Sequence, residues 1–159
     1  MTRRVATTTV LAFVLTACGS SHGSVGIAAN ARQLSKAAYI KAANAICADA
    51  ARKSAAVPRP IDQNDLNQWS KYLSKLLPIS IDEVHRLAAI APPDADRATA
   101  NTLLGLIANA NDSTERARKA AAAGSLNGFF AALKAVGSFA GKAVEVGNAY
   151  GLRQCGKES

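Results

Sequence analysis

Along residues 34–150 the apolar positions recur at steps of three and four, which is the period of a helix that buries one side. We find no stretch with the apolar and polar alternation of a half-buried strand. Proline and glycine divide this region into four segments. The segments run approximately from Ser35 to Ala56, from Asp62 to the Pro92-Pro93 pair, from Asp94 to Gly124 and from Ser125 to Tyr150. Segments of this length, joined by short turns, predict an all-α fold, an antiparallel up-down four-helix bundle.

The segment ends carry capping signals. Ser35 can act as the N-cap of the first helix, and the fourth helix is expected to begin at Ser125. Gly124 suits a left-handed C-terminal cap on the third helix, and Gly151 followed by Leu152 suits a cap with a hydrophobic contact on the fourth.

Two helices contain internal irregularities. Pro78 removes a backbone donor and clashes with the preceding turn, so the second helix is expected to kink there; the alternative is a break followed by a restart at Ser80. In the third segment Asp112, with Glu115 three residues later, resembles a cap and indicates a local interruption near Asn111.

The fourth segment contains the spacing Gly137-x-x-x-Gly141, which in an apolar segment is typical of paired membrane helices. Lys134, Lys142 and Glu145 argue against insertion into a bilayer. The two glycines are therefore expected to let two helices of a soluble bundle approach closely.

The first 17 residues have a different pattern, with Arg3 and Arg4 ahead of an apolar stretch that is too short to span a bilayer. The sequence Leu-Thr-Ala-Cys that ends at Cys18 resembles the bacterial lipobox, in which the cysteine thiol receives a diacylglyceryl group and the chain is cut just before it. The alternative is an ordinary signal peptide with a chance cysteine. Residues 1–17 are thus predicted to be a lipoprotein signal peptide, and Cys18 the lipid attachment site that binds membrane lipid at the extracytoplasmic face of the cell membrane.

Residues 18–34 are rich in glycine, serine and other small residues, which predicts a flexible tether between the lipidated Cys18 and a helical domain at 35–159. His22 lies in this tether and is expected to be solvated. Cleavage would remove Arg3 and Arg4, which lowers the formal net charge from +8 to +6. This balance favours anionic lipid headgroups or acidic wall polymers, and no dense basic run points to nucleic acid.

With Cys18 assigned to lipid, Cys47 and Cys155 remain as an even pair. Outside the cytoplasm such a pair is expected to form one disulfide, which would bring the chain after the fourth helix back to the first. Two free buried thiols or a redox-active pair are the alternatives, although no C-x-x-C spacing supports the second.

Three stretches of the chain carry a family resemblance: LSKAAYIKAANAICADA, LAAIAPPDAD and AYGLRQCG. They resemble a family of small actinobacterial secreted proteins and lipoproteins that share an early Ile-Cys on a helix, a central Pro-Pro and a terminal Gly-Leu-x-x-Cys-Gly. The resemblance covers nearly the whole mature module. It implies a helical bundle with Cys47 paired to Cys155, and it implies no activity.

Candidate chemistry is sparse. His85 lies near Asp82 and Glu83, but Glu83 points away from the face that the other two share, so a metal role would need distant ligands. We therefore expect no enzyme activity, no catalytic residue, no metal and no cofactor. The leading hypothesis is a noncatalytic interaction or structural module that binds an unknown envelope protein or polymer. The alternative is a carrier or sensor of a small apolar ligand, which would need a roomy apolar cavity.

Overall fold

A computed structural model of the chain describes residues 25–155. The predicted signal peptide, His22 and the predicted lipid attachment site Cys18 lie outside the described residues. Four long helices make up most of the described chain: α1 (Lys36–Ala55), α2 (Leu66–Ala88), α3 (Arg97–Ala122) and α4 (Leu126–Tyr150). The predicted all-α bundle is confirmed.

Short elements connect the helices at one end of the bundle. A single 3₁₀ turn, Asp94–Asp96, leads into α3. Two-residue strands, β1 (Arg32–Gln33) and β2 (Ile90–Ala91), pair in parallel with Arg32 opposite Ile90. Strands of two residues are too short to leave an alternating pattern in the sequence.

Serine residues cap the starts of helices and glycine residues follow their ends, as their chemistry predicts. The hydroxyl of Ser35 accepts a hydrogen bond from the backbone N–H of Ala38 at 3.4 Å, and Ser125 caps α4 in the same way. Gly124 and Gly151 adopt φ angles of +69° and +98°, which side chains other than glycine rarely tolerate. After Gly151 the N–H of Leu152 donates a hydrogen bond to a backbone carbonyl of α4, and the Leu152 side chain is buried.

Helix α2 begins later than the sequence indicated. Asp62 accepts a hydrogen bond from the N–H of Asn64 at 2.8 Å, so it organises a turn in the preceding loop. Asp65 is the true N-cap and accepts from the N–H of Asn67 at 2.8 Å. Both aspartates carry the same local signal, and only the second one starts the helix.

Neither of the anticipated irregularities interrupts a helix. Helix α2 continues through Pro78, which lies on its exposed side, where water can reach the carbonyl that proline leaves without a donor. Helix α3 continues past Asn111, and the hydroxyl of Ser113 donates to the carbonyl of Asn109 at 2.8 Å. The prediction of an interruption near Asn111 is wrong, because polar side chains in this region form hydrogen bonds within α3.

The core has two parts. In the first, α1 covers the adjoining ends of the other helices, and its fully buried residues include Tyr39, Leu87, Leu104 and Leu152. In the second, at the opposite end, α2, α3 and α4 pack around Phe129 without a buried residue from α1. Alanine supplies much of both parts, so the helices approach closely.

The expected role of the Gly137 and Gly141 pair is wrong. Both residues are exposed, and a Cβ atom built on either would meet no neighbouring atom within 4 Å. Helix α4 packs instead through the opposite side, where Ala143 and Gly147 are buried. The face with the two glycines is therefore exposed and brings together no helices among residues 25–155.

Residues 25–34 lie on the bundle, which differs from the flexible chain expected through Leu34. The N–H of Ala28 donates to the carbonyl of Ala88 at 2.9 Å, and the N–H of Leu34 to that of Ala91 at 2.8 Å. Val25 and Ile27 pack against the core. The sequence of this segment is rich in small residues, but its backbone is paired with the end of α2 and with β2.

Candidate functional site

The Cys47–Cys155 disulfide joins the middle of α1 to the chain that follows α4, with Cα atoms 4.9 Å apart. The carboxamide of Asn44 supports the same junction: its oxygen accepts from the N–H of Gln154 at 2.8 Å, and its nitrogen donates to the carbonyl of Gly151 at 3.3 Å. The pairing expected from the sequence is confirmed, in place of two free thiols.

Contact between α1 and α4 occurs where α4 ends. The rings of Tyr39 and Tyr150 meet edge to face with centroids 5.9 Å apart. The hydroxyl of Tyr150 donates to Asp96 at 2.9 Å, and the ammonium group of Lys36 lies 4.6 Å from the Tyr150 ring centroid. Burial, followed by the hydrogen bond to Asp96, raises the pKa of Tyr150 well above its usual range. The Tyr150 hydroxyl therefore keeps its proton at neutral pH and acts as a hydrogen-bond donor.

Ionic contacts join α1 to α2. The Asp49 carboxylate accepts from Arg86 at 2.6 Å and lies 2.9 Å from the ammonium group of Lys53. Hydrogen bonds from Lys53 and Arg86 lower the pKa of Asp49 to about 2. The cluster joins the two helices, and Asp49 stays ionised within it at neutral pH.

A groove with an apolar base lies between α2 and α3. It has two adjoining parts, with volumes of about 250 and 440 Å³, that share Leu77, Ile81 and His85. We call it the α2–α3 groove; its further lining includes Val25, Val84, Asp82, Ala108, Asp112, Glu115 and Arg118. Ile81 is 39% exposed, so the groove is open to solvent.

Charged residues edge the α2–α3 groove. Glu115 accepts two hydrogen bonds from Arg118, at 2.6 and 2.7 Å, and these bonds lower its pKa. Asp82 and His85 both line the groove, whereas Glu83 does not, as their spacing predicted. Among residues 25–155 no group of three or more potential ligand side chains could hold a metal ion.

Glu83 is half-buried in α2, and burial raises its pKa to about 7 while Arg86 opposes the shift. A carboxyl group with such a pKa can exchange a proton near neutral pH. It lines neither part of the α2–α3 groove.

A second, smaller pocket of about 150 Å³ lies where the loop between α1 and α2 meets the first turns of α2. We call it the basic pocket; it is lined by Pro58, Arg59, Pro60, Gln68, Lys71, Tyr72 and Lys75. No compact sequence motif marks the basic pocket, because its cations are spread over 17 positions. The four-residue spacing of Lys71 and Lys75, which puts both on one side of a helix, was the available signal.

No helix among residues 25–155 is long and apolar enough to cross a membrane. Comparison with known proteins finds no family, no curated protein and no solved structure that matches the chain. The function must therefore be argued from the geometry of the disulfide, the α2–α3 groove and the basic pocket.

Proposed function

We propose that this protein is a bacterial lipoprotein, held through acylated Cys18 on the outer side of the cytoplasmic membrane, whose bundle binds an envelope protein or polymer without catalysis. The lipobox pattern at Cys18 supports the lipid anchor. The Cys47–Cys155 disulfide supports export, because such bonds persist in oxidising compartments.

The observation that carries the binding role is the open α2–α3 groove. Leu77, Ile81 and Val84 provide apolar surface between charged edges, and a contiguous exposed apolar surface with a polar rim is typical of interaction sites. A partner that covered Ile81 would remove it from water, while Asp112 and Arg118 at the edges would select the partner by charge.

A carrier of a small apolar ligand is the second candidate, and the groove volume favours it. The two parts, at about 250 and 440 Å³, fall near the range of small-molecule pockets. Such pockets enclose most of their ligand, however, and this groove is open along Ile81. A segment of a larger partner fits an open groove better than a free small molecule does.

Lipid attachment is tested by fatty-acid labelling in the producing bacterium. Wild-type protein is expected to carry label, and Cys18→Ser is expected to accumulate as unlabelled precursor because only the thiol accepts the diacylglyceryl group. Equal labelling of the two proteins would contradict the anchor.

Partner binding is tested by a photocrosslinking residue at position 81 in cells, with Lys142 on the exposed side of α4 as the matched control position. We expect a discrete adduct from position 81 that is absent from position 142, and its loss when Leu77→Asp places a charge in the groove. Adducts of the same mass from both positions would refute the groove as the binding site. A small apolar molecule retained by the purified mature protein in native mass spectrometry would favour the carrier.

A further inference from the structure

The basic pocket gathers three cationic side chains and no carboxylate. Arg59 comes from the loop between α1 and α2, and Lys71 and Lys75 come from adjacent turns of α2. Tyr72 contributes a phenol to the same lining. A pocket of this composition suits an anion.

The two lysines of the basic pocket are not neutralised by the described chain. Neither Lys71 nor Lys75 forms an ion pair within 4 Å with a carboxylate among residues 25–155, in contrast to Lys53. Asp65 is the nearby acid that interacts electrostatically with Lys71. Its carboxylate already accepts hydrogen bonds from the backbone N–H groups of Asn67 and Gln68. Two positive charges therefore face solvent from one side of α2.

An exposed isoleucine lies in the loop that contributes Pro58, Arg59 and Pro60 to the basic pocket. Ile61, in the same loop, is 96% exposed. Its N–H donates to the side-chain oxygen of Gln68 at 2.9 Å, and the indole N–H of Trp69 donates to the carbonyl of Gln63 at 2.9 Å. Side chains of α2 thus hold the loop in a shape that leaves Ile61 exposed to water, and one of them, Gln68, also lines the basic pocket.

We propose that this loop and the first turns of α2 bind the anionic surface of a lipid bilayer. Ile61 enters the boundary between headgroups and acyl chains, and Lys71 and Lys75 contact lipid phosphates. An apolar tip combined with cations is the arrangement by which peripheral surfaces bind acidic membranes. The inference rests on the proposed lipid anchor, which supplies the bilayer.

The reach of the chain allows both attachments to meet one bilayer. Seven residue steps separate Cys18 from Val25, which span at most about 25 Å when extended. Val25 lines the groove beside Leu77, and α2 rises about 17 Å from Leu77 back to Leu66, at roughly 1.5 Å per residue. A lipidated Cys18 can therefore lie at the level of the loop that carries Ile61.

The test uses lipidated protein reconstituted into vesicles that contain lipids with brominated acyl chains. Ile61→Trp adds a reporter to the single native Trp69, and the quenching of wild-type protein is subtracted. We expect quenching of the added tryptophan in vesicles that contain phosphatidylglycerol. It should be largely lost in pure phosphatidylcholine and in 1 M salt, where charges are screened within about 3 Å.

Charge removal supplies the matched comparison. Combined Lys71→Gln and Lys75→Gln should lower the ratio of bound to unbound loop by about fivefold for each lysine. Combined Lys134→Gln and Lys142→Gln removes the same charge from exposed positions of α4 and should leave quenching unchanged. Quenching no stronger than in wild-type protein, or an equal loss in both double variants, would overturn the proposal.

The same preparation separates this proposal from the proposed function. Mass spectrometry of the N-terminal peptide reports whether Cys18 carries lipid, independently of the fluorescence. Lipidated protein without quenching refutes the membrane-binding loop alone. Protein without lipid refutes the proposed anchor, and quenching on addition to the same vesicles still decides whether the loop binds them.

Discussion

Two carboxyl groups on neighbouring helices experience opposite surroundings. Asp49 in α1 receives hydrogen bonds from Lys53 and Arg86, so its charged form is favoured. Glu83 in α2 is partly removed from water without a comparable hydrogen bond, so its neutral form is favoured. The free energy of unfolding should therefore depend on pH through both residues, in different ranges and with opposite sign.

Replacing Glu83 with glutamine should stabilise the fold at neutral and alkaline pH. The folded pKa of about 7 lies above the ordinary value of 4.5, so the folded state binds the proton more tightly and loses stability as pH rises between them. The loss of stability caused by ionised Glu83 is absent below pH 4.5 and complete above pH 7, where it is on the order of 3 kcal/mol. Urea unfolding of Glu83→Gln and wild type at pH 4 and pH 8 measures it; equal differences at the two pH values would contradict the shift.

Asp49→Asn should show the opposite dependence. The lowered pKa means that the carboxylate contributes stability above its ordinary pKa of 3.8 and loses it as pH falls towards 2. The variant should unfold more easily than wild type at pH 7, and the two should converge near pH 2. Thermal unfolding across this range checks the prediction, with Asp94→Asn, an exposed carboxylate in one surface ion pair, as control.

At the scale of elements, helix ends were predictable where the signal is local. Ser35 and Gly151 act through atoms a few residues away, so their chemistry can be read from the sequence alone. Asp62 and Asp65 offer equal local signals, and the loop before α2 is completed by the Trp69 indole, which a sequence pattern does not reveal. The spacing of Gly137 and Gly141 likewise places both residues on one side of a helix, but it does not indicate what packs against that side.

Glycine-to-alanine substitutions in and after α4 should have opposite effects. Gly137→Ala and Gly141→Ala meet open space in a helix and should each stabilise by up to about 1 kcal/mol through helix propensity. Gly151→Ala must hold a side chain at a φ of +98°, with Ile40 only 3.4 Å from the new Cβ, and should cost about 1–2 kcal/mol or more. Chemical denaturation of the three variants measures these changes, and a destabilising Gly137→Ala would mean that this face is covered.

At the scale of the whole molecule, the disulfide was predictable and the surface sites were not. The cysteine count and the expectation of export sufficed to pair Cys47 with Cys155. The α2–α3 groove combines α2 and α3 side chains with Val25 from a segment that the sequence indicated to be flexible. Its assembly depends on tertiary packing, which apolar periodicity does not encode.

Removing the disulfide should weaken the entire bundle. The bond closes a loop of 108 residues, for which the loss of chain entropy in the unfolded state contributes up to about 4.7 kcal/mol. Cys47→Ser with Cys155→Ser should lower the free energy of unfolding by about 2–5 kcal/mol and leave the proposed lipid attachment at Cys18 unchanged. Melting with and without reductant checks this; identical curves for the wild-type protein would contradict the contribution of the bond.

The same bond also determines how the molecule responds to mechanical tension. A force applied between the N-terminal side of Val25 and the chain beyond Cys155 crosses from Cys47 directly to Cys155, so the backbone between the two cysteines bears no tension. Stretching can then release only the 22 residue steps from Val25 to Cys47, about 75 Å when fully extended. When force is applied in this direction, α2, α3 and α4 bear no tension, and the α2–α3 groove is therefore not deformed by it.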